Sequence, residues 1–150
     1  MNIKSVDEIL DFAMEKEQDA SDFYTNLANK MERPAMKDIF LGFAKEEMGH
    51  KTKLQGIKDG KVLKASEKKV MDLKIGDYLV DVQPSANVDY QQALILAMKA
   101  EKAAFKLYTD LAAATDDSGL QDTFRMLAQE EAKHKLRFEV EYDDQILTEN

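Results

Sequence analysis

The chain reads "EEMGH" at residues 46–50 and "EEAKH" at residues 130–134, each inside a stretch that otherwise has the pattern of a buried helix. A carboxylate or imidazole turned into a core is costly unless it is paired, hydrogen-bonded or bound to a metal. Helical geometry selects which glutamate of each pair faces inward. Glu47 and His50 are three residues apart, as are Glu131 and His134, so each pair shares a face about 60° wide while Glu46 and Glu130 turn toward a flank. Phe43, Ala44, Glu47 and Leu54 form one apolar-dominated stripe, and Leu127, Ala128, Glu131 and Phe138 form its counterpart.

The two stretches belong to a repeat. A shift of 84 residues places Glu17 on Glu101, Tyr24 on Tyr108, Leu27 on Leu111, Phe40 on Phe124, Ala44 on Ala128, Glu47 on Glu131 and His50 on His134. Packing alone accounts for the matching alanines, leucines and phenylalanines, and Met14 and Met98 read as core filler. It does not account for the acids and histidines.

Helix signals give the repeat its outline. Ser5 followed by Glu8 has the spacing of a capping box, opening a first helix to about Met31. Pro34 suits the first turn of a second helix that ends at Gly60. Residues 61–87 run from "KASEKK" through "LKIGDYLVDV" to "QPSAN", a long crossover. A third helix is predicted from near Val88 to about Ala114, and "TDDSG" separates it from a fourth, from about Leu120 to Tyr142, with "DDQILTEN" as a short frayed tail. The expected fold is all-α: a four-helix bundle with one long crossover between helices two and three, built from two repeated helix pairs as a single domain over residues 1–150.

One Glu-x-x-His is a weak signal, because charged residues three apart are common on solvated helix faces. Two copies at one repeat spacing, both in apolar stripes and using the only two histidines of the chain, carry more weight. Each is preceded 30 residues earlier by a single glutamate, Glu17 or Glu101, on the partner helix. Tyr24 and Tyr108 follow those glutamates by seven residues, nearly two turns, on the same face. Each tyrosine is either a donor orienting a carboxylate or a core residue with a satisfied hydroxyl.

Composition narrows the chemistry. With 150 residues the chain is long enough for a substantial core, and with no cysteine it contains no disulfide, iron–sulfur cluster or redox thiol. A formal charge of -8 disfavours nucleic acid and anionic membranes as partners. The N-terminus lacks the apolar run of a secretory signal and no segment has the length of a membrane span, so a cytoplasmic protein is expected. Four inward carboxylates and two imidazoles could not stay together empty and fully ionised. Two divalent cations resolve the conflict, and an oxygen-rich set with one imidazole per metal suits iron or manganese.

With that ligand pattern the sequence resembles the ferritin-like superfamily, and most closely a rubrerythrin-type di-iron domain, over residues 6–142. The resemblance implies that Glu47 and Glu131 bridge two irons, that Glu17 and Glu101 are terminal carboxylates, and that His50 and His134 are terminal nitrogen ligands. It implies an oxidoreductase reducing hydrogen peroxide or dioxygen. Rubrerythrins usually add a rubredoxin module with four cysteines; this chain has none, so an external, rubredoxin-like electron donor is expected. They also resemble one another in a further glutamate three residues after the third-helix ligand, where this chain has Ala104. The remaining six-ligand set is similar to the ferroxidase centre of bacterioferritins. A ferroxidase or iron-handling protein is therefore the first alternative, and a non-catalytic bundle holding zinc the second. Apolar runs "ILDFAM" and "ALILAM" offer more surface than one helix stripe needs, and a homodimer is expected.

Overall fold

The computed structural model describes residues 5–80 and 89–149. Its regular elements are helical: α1 (Val6–Asn29), α2 (Pro34–Gly60), the short α3 (Glu67–Val70), α4 (Tyr90–Ala114) and α5 (Ser118–Glu149), with 3-10 turns at Val62–Ser66 and Ile75–Tyr78. They form two compact units, one ending at Leu73 and one beginning at Lys74.

In the first unit, α1 begins where its cap predicts. Ser5 is extended and its Oγ accepts the Glu8 N–H at 3.2 Å, while Asp7 and Glu8 lie at the positive end of the helix. Pro34 opens α2, where its missing N–H costs no intrahelical bond. Lys61 then ends α2 in the left-handed region at φ 59°, which costs a side chain with a Cβ about 1 kcal/mol. The Lys58 ammonium lies 2.7 Å from Asp11, Lys51 donates to Gln18 at 2.8 Å, and the Ser21 hydroxyl donates to the Ala44 carbonyl at 2.8 Å. Numbers fall along α1 as they rise along α2, so the two helices form an antiparallel hairpin. Ile9 and Leu10, four and three residues before Ala13 on α1, are buried with it, as are Phe40 and Leu54 on one stripe of α2. The crossover begins on this hairpin: Leu63 and Val70 are buried, and Glu67 Oε2 accepts the Val6 N–H at 3.2 Å, satisfying one donor of the open end of α1.

The second unit is built alike. Asp89 and Gln92 form a complete capping box on α4, with Oδ1 accepting the Gln92 N–H at 2.8 Å and Oε1 accepting the Asp89 N–H at 3.2 Å. Asp117 Oδ1 accepts the Leu120 N–H at 2.8 Å in the first turn of α5. Tyr90 donates to Glu141 at 2.9 Å, joining the start of α4 to the later part of α5 in a second antiparallel hairpin. The last part of the crossover rests here. Ile75 and Tyr78 are buried, and Tyr78 donates to Asp110 Oδ2 at 2.8 Å beneath Lys106, whose ammonium lies 5.0 Å from the ring centroid. Burial first, and then the Asp110 hydrogen bond, push the Tyr78 phenol well above its ordinary pKa, so it keeps its proton.

Two helix boundaries need adjustment, and the crossover gains internal detail. The final helix starts at Ser118, earlier than Leu120, and continues to Glu149, so most of the expected frayed tail is helix. The crossover contains 3-10 turns and the short α3. The third helix begins at Tyr90, after the cap at Asp89; "QPSAN" and Val88 lie outside the described residues. Among the described residues no helix is long and apolar enough to cross a membrane.

Candidate metal centre

Each hairpin carries three inward-facing donors. In the first, Glu17 comes from the middle of α1 and Glu47 and His50 from one face of α2, and they are 2%, 1% and 2% exposed. His50 Nδ1 lies 3.5 Å from Glu17 Oε2 and 3.6 Å from Glu47 Oε1. In the second, Glu101 on α4 and Glu131 and His134 on α5 are buried to the same degree, with His134 Nδ1 3.6 Å from Glu101 Oε1. Within each trio every residue offers a ligand atom no more than 4.8 Å from those of the other two.

The phase of α2 explains the choice of carboxylate. Glu47 falls on the stripe of Phe40, Ala44 and Leu54, all buried, whereas Glu46 is exposed. In α5, Glu131 lies on the stripe of Phe124, Leu127, Ala128 and Phe138, and Glu130 is half-buried at its flank. The register is common to both hairpins. The contacting residue numbers of His50 and Glu17 add to 67, those of His134 and Glu101 to 235, and the difference of 168 is twice the 84-residue shift.

These distances suit a shared cation. They exceed the roughly 2.7–2.9 Å of a charge-assisted hydrogen bond. Two donors each about 2.1 Å from one ion, at angles between 90° and 120°, stand about 3.0–3.6 Å apart. Two carboxylates and one imidazole per hairpin form a hard, oxygen-rich set appropriate to iron or manganese. The residues present therefore fit a metal.

Tyr24 and Tyr108, both 1% exposed, lie on the same helix faces as Glu17 and Glu101. The surroundings of Tyr24 are aromatic, with Phe23 and Phe43 edge-on at 5.8 and 6.3 Å between ring centroids. The position equivalent to Phe43 is Leu127. The sequence reading did not single out Glu141. It is a 3% exposed carboxylate seven residues after His134, receiving the Tyr90 hydrogen bond, with the Gln145 amide 3.5 Å away. Its heptad spacing from His134 was the available signal. Its repeat counterpart, Ile57, is apolar, so the repeat hid it.

Comparison with known proteins bears on the family and the fold. The sequence profile of the rubrerythrin family matches residues 8–142. A solved structure described as a ferritin-like diiron-carboxylate protein from Thermotoga maritima superposes with a TM-score of 0.78 over 97% of this chain and 99% of that one, at 20% identity. The likeness shows the fold, an all-α ferritin-like four-helix bundle. No curated protein matches the chain.

Proposed function

The chain belongs to the rubrerythrin family, and on that premise we propose that its two Glu–Glu–His trios together hold two iron ions, and that the reduced protein passes electrons to hydrogen peroxide or dioxygen. When bound, the iron pair would supply two electrons, one from each ion, to an oxygen–oxygen bond.

The chain's own residues set the conditions for that chemistry. Glu17, Glu47, Glu101 and Glu131 would supply the carboxylate ligands and His50 and His134 the nitrogen ligands, with Glu47 and Glu131 the shared carboxylates that the family resemblance implies. Four carboxylates nominally cancel the charge of two divalent ions, which offsets the cost of keeping the acids in the interior. Tyr24 and Tyr108, buried on the same helix faces as Glu17 and Glu101, would orient a carboxylate or a neighbouring ligand as hydroxyl donors. Burial of all six donors to 1–2% exposure keeps bulk water from the reacting atoms. Reduction of peroxide to two waters consumes two electrons and two protons. The 150 residues hold no cysteine, so the electrons come from a carrier outside them.

The observation that carries this reading is the exact recurrence of one buried trio in both hairpins. Its test is metal content per chain after anaerobic iron loading, followed by the optical spectrum before and after one equivalent of peroxide. The Glu47→Ala, Glu131→Ala double variant is measured alongside. Two irons that oxidise rapidly in the parent and are lost in the variant are expected. No stoichiometric metal, or equal binding by the variant, would refute the centre.

Ala104 favours a second reading. It is three residues beyond Glu101 and matches Ala20 in the repeat, leaving two equivalent trios with no additional carboxylate at that position. In a centre so symmetric, iron itself would be the substrate, oxidised by dioxygen or hydrogen peroxide and then released. Turnover of many irons per chain, without sustained peroxide consumption when a reductase system is present, would decide for it.

A further inference from the structure

The segment that follows α2 carries charge of the opposite sign to the chain as a whole. Residues 61–71, "KVLKASEKKVM", hold four lysines against one acid, Glu67, in a chain of formal charge -8. Glu67 is occupied inside the fold, where its Oε2 accepts the Val6 N–H. Elsewhere lysines find carboxylates: Lys58 lies 2.7 Å from Asp11, Lys106 3.2 Å from Asp110 and Lys135 2.6 Å from Glu139. Lys61, Lys64 and Lys68 do not. All three are exposed, and among the described residues their ammonium groups make no ion pair or hydrogen bond.

Local geometry sorts these residues by face. In the 3-10 turn Val62–Ser66, side chains three apart eclipse one another. Leu63 and Ser66 share the buried ridge, and Val70 continues the anchorage from α3. Val62 and Ala65 therefore form one outward ridge and Lys61 and Lys64 another, all four exposed. Val62 is 46% exposed and Met71, just past α3, 40%. An apolar centre with a cationic rim is the anatomy of a recognition surface. The 84-residue repeat does not call for it: beyond the position equivalent to Gly60, α5 continues as helix to Glu149.

We propose that the exposed face of residues 61–71 is where a small acidic one-electron carrier protein docks to reduce the metal centre, an inference that rests on the oxidoreductase reading above. Carboxylates of the carrier meet Lys61, Lys64 and Lys68, and its apolar contact surface meets Val62, Ala65 and Met71. The surplus of acids over the rest of the chain repels such a carrier, so opposite charge steers it to this face. A patch of this size suits the small, short-lived interfaces of electron-transfer encounters. Helix α2 links the face to the centre. Gly60, next to Lys61, is ten residues beyond His50, about 15 Å of helical rise, with Leu54 buried between them. Each encounter passes one electron from the reduced carrier to the oxidised centre, so two encounters restore it, and no bond is made or broken.

The probe is an acidic rubredoxin, used in two measurements on the full chain. Amide shifts of the isotope-labelled, metal-free chain on adding zinc-substituted rubredoxin locate the contact without reference to the chain's own metal. Stopped-flow oxidation of reduced rubredoxin by the oxidised, iron-loaded chain measures delivery. The shifts should centre on residues 61–71. Lys64→Glu with Lys68→Glu should lower the second-order rate at least about tenfold near 0.02 M ionic strength, and the gap should close to within about twofold near 0.5 M as screening sets in. Lys30→Glu with Lys37→Glu makes the same charge change at exposed positions at the other end of the hairpin and should cost less than about threefold. Iron content should match the parent in both variants. Shifts centred elsewhere, a Lys64→Glu, Lys68→Glu chain reduced as fast as the parent, or an equal loss in the control pair would each overturn the proposal, as would preference of the face for anionic vesicles or DNA over the carrier. Failure of the oxidoreductase reading looks different: a parent chain that binds no iron, yet whose shifts still centre on residues 61–71, would refute the centre and uphold the docking face.

Discussion

Replacing Tyr90 by Phe removes one oxygen and leaves the ring that packs at the start of α4. The hydroxyl donates to Glu141 at 2.9 Å, and Glu141 is a carboxylate only 3% exposed. The Gln145 amide at 3.5 Å is too distant to take over the bond without moving. Losing one hydrogen bond to a charged acceptor costs about 1.5–3 kcal/mol. For a chain of this length about 2 kcal/mol corresponds to a fall in Tm of roughly 4–8 °C. The measurement is thermal and urea unfolding of the metal-free protein, so that ligand binding does not shift the midpoint. A companion variant sharpens it. Tyr90→Phe with Glu141→Ile imitates the other hairpin, where Val6 and Ile57 occupy these positions. Removing both groups should recover most of the loss, because the buried carboxylate that the lost hydrogen bond served is then gone too. A Tyr90→Phe protein as stable as the parent, or a double variant less stable than the single, would refute the claim that the pair is held together by mutual need.

Three further outcomes follow from local features. Iron at about 100 times its dissociation constant should stabilise the chain by about 2.7 kcal/mol per bound ion in thermal unfolding, with the gain reversed by chelation and absent in the Glu47→Ala, Glu131→Ala variant. Lys61→Gly should raise stability by about 0.5–1 kcal/mol in urea titration, because glycine adopts the left-handed conformation without the Cβ penalty. Asp89→Ala, which removes half of the capping box on α4, should lower it by about 1 kcal/mol by the same assay.

The helix pairs were legible because the apolar positions keep a helical period and repeat after 84 residues, and the inward glutamates because helix phase separates Glu47 from Glu46. Local chemistry misled the reading of α5. Gly119 read as a breaker, yet it lies in the first turn, where Asp117 caps Leu120 and a glycine is tolerated. Asp143 and Asp144 read as an end, yet each costs a helix interior only about 0.5 kcal/mol, less than half-buried Gln145 and Ile146 recover by packing. The anchors of the crossover were not legible. Glu67 reaches Val6 across 61 residues and Tyr78 reaches Asp110 across 32, and no local pattern encodes such pairings. Glu141 escaped for a different reason: a repeat reveals what its halves share and conceals where they part.

The crossover is fastened in two pieces, Leu63 to Val70 on one hairpin and Ile75 to Tyr78 on the other, and the boundary between the units falls after Leu73. A gene divided at that point would encode two polypeptides, each keeping its own hairpin, its own stretch of the connection and three of the six donors. Such a split offers fragment complementation as a tool: mixing the halves with and without metal would separate what a single trio can bind from what only the reunited pair can.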